Sequence, residues 1–447
     1  MLFVLMLLFI AYVLFKKGIS KREYLFFSTL IFSCFLFDSA DPFIGIPLYF
    51  YLMCISIIVS LFERNDLNGN KLKKFTFISI ILIFSLILQM INVLNDFNII
   101  KVLLIKDSNT DTMDVASQLF YPSFDFTMIK HFIFLIVYLL FIMFNIDILQ
   151  DKKTYVKLFN IFDKSFHFLF ICIIIEFIIV NILNGYNDRL IMSILFNFKN
   201  LNMKENWMTF GVYTVSFCFS ERSTMAIIII YYMMHITKKD YNIKFLIWFA
   251  ISLISSFATG STTSLVIVIL FGLFVLIDII YCKTKIITKT ITILIMLIAI
   301  SIIIINNEIL FEKLNQFLSN NQEWGSAYFR KQSLEYAIQA INFSPLIGIG
   351  IGTVYCHGAL IQTLSNIGFI GLFLLILTHI VVIPKFKFNL TFIYKLVCVI
   401  FVSFAAFMLQ QVTSPVLLCF MICLSSMFSQ CNRKEVFNEN LVCNNKL

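Results

Sequence analysis

The stretch Lys71-Leu-Lys-Lys-Phe-Thr-Phe-Ile-Ser-Ile-Ile-Leu-Ile-Phe-Ser-Leu-Ile-Leu-Gln-Met-Ile-Asn-Val-Leu94 decides what kind of protein this is. Lysines crowd its first turn, and from Phe75 to Leu94 no charge follows. A charge-free apolar run of that length matches the roughly 20 residues that a helix needs to cross the hydrocarbon core of a bilayer. Comparable runs recur along the whole 447-residue chain, each bounded by charged or polar segments. The composition agrees, with 60% hydrophobic residues, 13% charged residues and a mean hydropathy of +0.92. Such numbers exclude a soluble globular domain. The expected fold class is all-α, a polytopic integral membrane protein of about 12–13 transmembrane helices.

The candidate spans are 2–15, 24–37, 43–62, 75–94, 131–149, 166–183, 210–235, 245–258, 263–281, 290–305, 358–383, 394–411 and 414–430. Their connections alternate in character. The segments 16–23, 63–74, 150–165, 236–244, 282–289, 384–395 and the tail after Cys431 are short and basic. The others are Asp38–Asp41, 95–130, 184–209, Thr259–Thr262 and 306–357. About 24 of the 34 Lys and Arg fall in the first group, which puts that group in the cytoplasm and the second outside. The expected organisation is therefore transmembrane helices over 1–305, a large outer loop over 306–357, C-terminal transmembrane helices over 358–430 and a cytoplasmic tail over 431–447. The apolar run Met1–Phe15 carries its charges after it, and no small-residue cleavage site follows. A first span with its N-terminus outside fits this better than a cleaved signal peptide.

The net charge of +9 does not point to nucleic acid, because the cations collect in the short loops between spans. Most of the 11 cysteines lie within apolar runs, as Cys34, Cys54, Cys172, Cys398 and Cys419 do. They read as small buried hydrophobes, with no CxxC or metal spacing. No cofactor or metal is expected. Asp107–Asp114 has alternating oxygen ligands, but it lacks the glycine and terminal glutamate of a calcium loop and reads as a solvated acidic loop.

The outer connections carry the unusual sequence. From Ser326 to Phe343, SAYFRKQSLEYAIQAINF has the period of an amphipathic helix. Arg330, Leu334, Ala337 and Ile341 share its packing stripe, while Lys331 and Gln332 point away. The alternative for Arg330 is an interfacial arginine snorkelling to water. Charges inside spans are costly, so Glu176 and the Ser220-Glu221-Arg222-Ser223 run are candidates for function, with buried structural pairing as the alternative. Glu221 and Arg222 are adjacent on a helix and point about 100° apart, so each needs a partner elsewhere. Thr259–Ser264 and Gln410–Pro415 are hydroxyl- or amide-rich breaks that line a cavity or make tight turns. Among the five histidines, His167, His235 and His379 fall near cytoplasmic helix ends, where exposed or capping roles are usual, and His131 and His357 fall on the outer side. His357 opens a helix whose stripe continues through Ile361, Leu364, Gly368 and Gly371. Glycines there predict close helix packing, with His357 at a bundle interface. Ser344-Pro345 and Gly348, Gly350 and Gly352 form a turn-rich approach to it.

Together these pieces resemble the bacterial O-antigen polymerase and O-antigen ligase superfamily of membrane glycosyltransferases. The resemblance runs over about 210–375, in the order Ser220-Glu221-Arg222-Ser223, Gly260-Ser261-Thr262-Thr263, Arg330 with its helix, Pro345-Leu-Ile-Gly348-Ile-Gly350, then His357-Gly358, Gln362 and Gly368-Phe-Ile-Gly371. Departures from the family pattern are Gly358 where Asn or Ser is common, Thr262 where Arg is frequent and Arg222 where Pro is usual. The resemblance implies a bacterial inner-membrane enzyme with its active site facing the periplasm. It would join undecaprenyl-diphosphate-linked oligosaccharide repeat units into O-antigen or capsular polysaccharide, with a flippase and a chain-length regulator as further partners. Arg330 and Arg222 would hold the diphosphate, and His357 or Glu221 would act on the acceptor hydroxyl. The alternatives are a ligase passing the glycan to lipid A-core and, from another class, a lipid-linked glycan flippase or transporter.

Overall fold

A computed structural model of the chain describes residues 20–35, 48–63, 69–94, 126–182, 243–259, 326–354, 356 and 359–382, the strand residues named below, and scattered single positions elsewhere. These residues are overwhelmingly helical. The helices are α1 (Lys21–Phe35), α2 (Leu48–Glu63), α3 (Asn70–Leu94), α4 (Phe126–Phe144), α5 (Ile146–Gln150), α6 (Lys152–Asn181), α7 (Ile243–Ala258), α8 (Ser326–Phe343) and α9 (Ala359–Val382). The stretches Asn70–Ile91, Phe126–Phe144 and Leu360–Val382 are long and apolar enough to cross a membrane, and Tyr49–Glu63 and Ile243–Ala258 are shorter apolar helices.

The opening stretch shows how one helix divides its surface. Phe75, Ser79, Leu82, Leu86, Gln89 and Val93 are buried on one side of α3. Phe77, Ile80, Phe84, Ile87, Leu88 and Ile91 are exposed on the other. The buried set repeats every three or four residues, so a single stripe packs inward. Large apolar side chains facing outward along the whole helix fit a bilayer and not water. α1 enters through Ser20, whose Oγ accepts from the Glu23 backbone N–H at 3.2 Å as a helix cap. It packs Phe26, Phe27, Leu30 and Ile31 inward, with Phe26 stacked on Phe141 of α4 at 5.3 Å.

Polar groups tie the helices together at one end. Arg22 of α1 forms a two-pronged pair with Asp147 of α5, donates to the Phe144 carbonyl and reaches Ser60 Oγ of α2 at 3.1 Å. Asn145 links the same elements: its Nδ2 donates to Phe141 O at 2.8 Å and to Ser56 Oγ at 3.3 Å, and its Oδ1 accepts from Ser60 Oγ at 3.3 Å. Glu23 pairs with Lys157 of α6 at 3.3 Å. The ends of the basic connections 16–23, 63–74 and 150–165 therefore meet at one end of the bundle. The C-terminus of α3, the N-terminus of α4 and the segment 344–354 meet at the other, through contacts described below. For these five connections the separation is the one that their charges predict.

α6 and α7 run side by side. Ser255 Oγ donates to Phe170 O at 3.3 Å, and fully buried Ser252, Ser255 and Ser256 form the small-residue face of α7. Such a face lets helices approach closely.

Several expectations need correction. The span 131–149 is two helices, because Asn145 between α4 and α5 leaves helical geometry at φ −115°, ψ 14°. The span 210–235 does not begin as a helix: Met208–Thr209 and Val212–Tyr213 (β3 and β4) pair antiparallel, as do Val102–Leu103 and Leu119–Phe120 (β1 and β2) in the 95–130 connection. His379 is fully buried and not an exposed cap. The Leu375 carbonyl can only accept, so His379 Nδ1 carries a hydrogen toward it at 2.7 Å, and Nε2 is hydrogen-bonded to the Tyr138 hydroxyl at 2.5 Å. His167 is also buried, stacked on Trp248 with ring centres 3.5 Å apart and with Nε2 3.2 Å from Tyr232 Oη and 3.4 Å from Asp163 Oδ1.

Candidate functional site

The segment that follows α8 turns back onto the bundle. Ser344 N–H donates to Ala340 O at 3.1 Å and ends the helix, and Pro345, which cannot continue it, follows. Gly348 then has φ +74°, and a Cβ there would come within 2.5 Å of the Asn366 carbonyl oxygen in α9. No other residue type allows the backbone this close.

α9 is not straight. Gly368 has φ +67° and ψ −178°, which divides the helix into 359–367 and 369–382. In an unbroken helix the Phe369 and Ile370 N–H groups would donate to Ser365 O and Asn366 O. Here Phe369 N–H donates to Pro345 O at 2.9 Å and Ile370 N–H to Leu346 O at 3.0 Å. The carbonyls so released are taken up as well: Ile349 N–H donates to Ser365 O at 2.9 Å and Gly350 N–H to Asn366 O at 3.1 Å. Two helical hydrogen bonds are thus exchanged for four bonds to the incoming segment, so these four backbone groups of α9 stay paired across the break. The expectation that Gly368 and Gly371 form a close-packing helix face is overturned. Gly368 is the break itself, pressed against the Leu346 carbonyl, and a Cβ on Gly371 would meet Ile367 of its own helix at 2.8 Å.

Three side chains hold this clasp. Asn366 pairs with the Val354 backbone, its Oδ1 accepting from Val354 N–H at 2.7 Å and its Nδ2 donating to Val354 O at 3.2 Å. Gln89, at the far end of α3, donates through Nε2 to Asn366 O at 2.5 Å and to the Ile347 carbonyl. His131 of α4 lies against Gly352 so tightly that a Cβ there would come within 2.4 Å of the ring. Neither Gln89 nor Asn366 is a candidate from the sequence reading. Both are amides within apolar spans, with other polar residues close by in sequence (Asn92 after Gln89; Gln362, Thr363 and Ser365 before Asn366), so neither stands out as Glu176 does.

α8 closes over the clasp. Ser333, Ala337 and Ala340 are buried along one stripe, and Lys331 is exposed. Ala337 and Ala340 form a cluster with Ile349, Val354 and Cys356, against which Leu334 and Ile361 pack. β1 also lies against α8, so the 95–130 and 306–357 connections meet here.

Of the residues proposed from sequence, Arg330 has its backbone in α8, one turn before Leu334. Its side chain lies outside the described residues, as do His357, Glu221 and Arg222. Cys356 on one side of His357 is buried in the cluster, and Ala359 on the other begins α9. Glu176 is fully buried in α6. Thr259 ends α7 with its Oγ1 donating to Ser256 O at 2.9 Å, whereas 260–263, 410–415 and His235 lie outside the described residues. No protein-family model matches the chain, and no curated protein matches it either.

Proposed function

We propose that this chain is a membrane glycosyltransferase that polymerises undecaprenyl-diphosphate-linked oligosaccharide repeat units into O-antigen or capsular polysaccharide on the periplasmic face of the bacterial inner membrane. On this reading it has about 12–13 spans, counted from its apolar runs. The observation that carries the proposal is the packing of α8 and the 344–356 segment into one cluster at the end of the bundle away from the basic connections. The stretch bearing Arg330 and the stretch leading to His357 share that cluster through Leu334, Ala337, Val354 and Cys356.

In the proposed step an acceptor sugar hydroxyl attacks the anomeric carbon of the donor. The bond from that carbon to the diphosphate oxygen breaks, and undecaprenyl diphosphate leaves with the electron pair. His357 takes the hydroxyl proton, a task suited to imidazole at neutral pH, with Glu221 as the other candidate. Arg330 and Arg222 offset the negative charge that grows on the departing diphosphate. A transporter reading has one feature in its favour, the broken helix α9. Yet the backbone groups freed at that break are occupied by 345–350 and are not available to a solute.

The test is replacement of His357 or Arg330 by alanine in the native host, with surface polysaccharide run on a gel and protein level in the membrane measured. A single repeat unit at unchanged protein level supports polymerisation. Accumulation of polymerised, carrier-linked glycan with none attached to the surface would indicate a ligase instead. A wild-type ladder would remove both residues from the site.

A further inference from the structure

We propose that Gln89 and Asn366 are positioning residues for the glycosyl transfer proposed above. They fix the register of the 344–354 segment against the break in α9, and so fix where the chain emerges toward His357. The inference rests on that functional reading, but its physical part stands on its own contacts.

Register is the quantity at stake. The four exchanged backbone bonds at the break are a short ladder, and such a ladder can slip unless side chains pin it. Gln89 grips both of its sides with one amide group, since Ile347 O belongs to the segment and Asn366 O to α9. Asn366 pins the far end through the paired Val354 N–H and C=O, and Thr353 Oγ1, which donates to Gly350 O at 2.6 Å, lies 3.2 Å from Asn366 Oδ1. Both amides are buried, Gln89 at 1% and Asn366 at 7% exposure, so water does not replace a lost bond at little cost. Two residues beyond Val354 the chain reaches buried Cys356, and His357 is next. A slip by one residue would move the Cys356–His357 link by about 3.3 Å. Misplacement by about 1 Å already lowers catalysis on the order of a hundredfold.

The experiment uses the full chain in native-host membranes with two readouts. The first is alkylation of Cys356 by a maleimide, read by mass spectrometry of its peptide. Asn366→Ala and Gln89→Leu are expected to raise that rate about tenfold or more over wild type, since each leaves buried groups unpaired. The second is the polysaccharide ladder, expected to collapse in both variants at unchanged membrane protein level.

Asn366→Asp separates positioning from general damage. It keeps the acceptor for Val354 N–H and gives up only the donor to Val354 O, so its ladder is expected to retain chain length that Asn366→Ala loses, at equal membrane protein level. Unchanged Cys356 alkylation in Asn366→Ala and Gln89→Leu would overturn the register claim. Raised alkylation with an intact ladder would overturn the positioning role, provided that His357→Ala abolishes the ladder. An intact ladder in His357→Ala sinks the functional reading instead. An Asn366→Asp ladder no longer than that of Asn366→Ala also counts against the positioning role.

Discussion

Replacing Gly368 by alanine tests the exchange of hydrogen bonds in α9 most directly. The wild-type dihedrals, φ +67° and ψ −178°, lie in a region that is nearly glycine-only, and holding a residue with a Cβ there costs about 1–3 kcal/mol. The new Cβ would also sit 2.3 Å from the Leu346 carbonyl oxygen, a backbone atom that cannot rotate away. Relieving that clash pulls Phe369 N–H off Pro345 O and Ile370 N–H off Leu346 O. Each buried donor left without a partner costs about 1–3 kcal/mol. The expected loss is therefore at least about 3 kcal/mol, a large share of the ~5–15 kcal/mol by which folded domains are stable. Straightening the helix is no escape. It regains the two helical bonds and about 1 kcal/mol of helix propensity, but it strands four groups of the 345–350 segment and both Gln89 contacts. Gly371→Ala is the comparison variant: its φ is not positive and its nearest neighbour is Ile367 Cβ of its own helix, at 2.8 Å, so its cost is expected to be smaller, about 1–3 kcal/mol. The assay is the thermal midpoint of each purified variant in detergent, together with its level in the membrane. Melting of Gly368→Ala together with Gly371→Ala would refute the exchange.

Further expectations concern the two ends of the bundle. Arg22→Lys keeps the charge but gives up the fork that spans Asp147, Phe144 O and Ser60, and is expected to cost about 1–3 kcal/mol in thermal stability. The coupling of Arg22→Ala to Asp147→Asn in a double-mutant cycle should be only about 1 kcal/mol, because the Asp147 side chain is 48% exposed. Additive single losses would show that the pair contributes nothing. At the other end, Ala337→Leu overfills a site with 0% exposure beneath α8 and should cost about 1–3 kcal/mol, while Lys331→Ala, at an exposed position, should change stability by about 0.5 kcal/mol or less. Equal melting temperatures for these two variants would mean that α8 does not pack through Ala337.

The sequence carries the helices better than their irregularities. Phe75–Leu94 has to be a helix, since a charge-free run of that length in lipid must satisfy its own backbone. The α8 boundaries, Ser326 and Phe343, follow from a periodicity that ends at Ser344-Pro345. For the five connections whose ends are described, the charge alternation sorts them correctly, because it reflects many residues and not one contact. Gly368 is different. In an apolar run a glycine serves equally as a packing notch or a break, and the choice depends on whether another segment can supply hydrogen bonds. That segment lies outside the helix, and the amide that seals it, Gln89, is separated from Ile347 by 258 positions. His379 fails for a related reason: distance from a helix end does not reveal which face a residue occupies, and its partner Tyr138 is on α4. For His357, Glu221 and Arg222 the sequence remains the source of the assignment.

The exchange at Gly368 also has a consequence for the order in which the chain matures. Until 345–350 is seated, a broken α9 would hold two bare carbonyls and two bare N–H groups in hydrocarbon, each costing several kcal/mol. A newly made α9 is therefore expected to enter the membrane straight and to break only as the segment docks. Gln89 and the segment both precede α9 in the sequence and emerge from the ribosome before it. Docking and breaking are then a single late event, which can follow as soon as α9 itself is made.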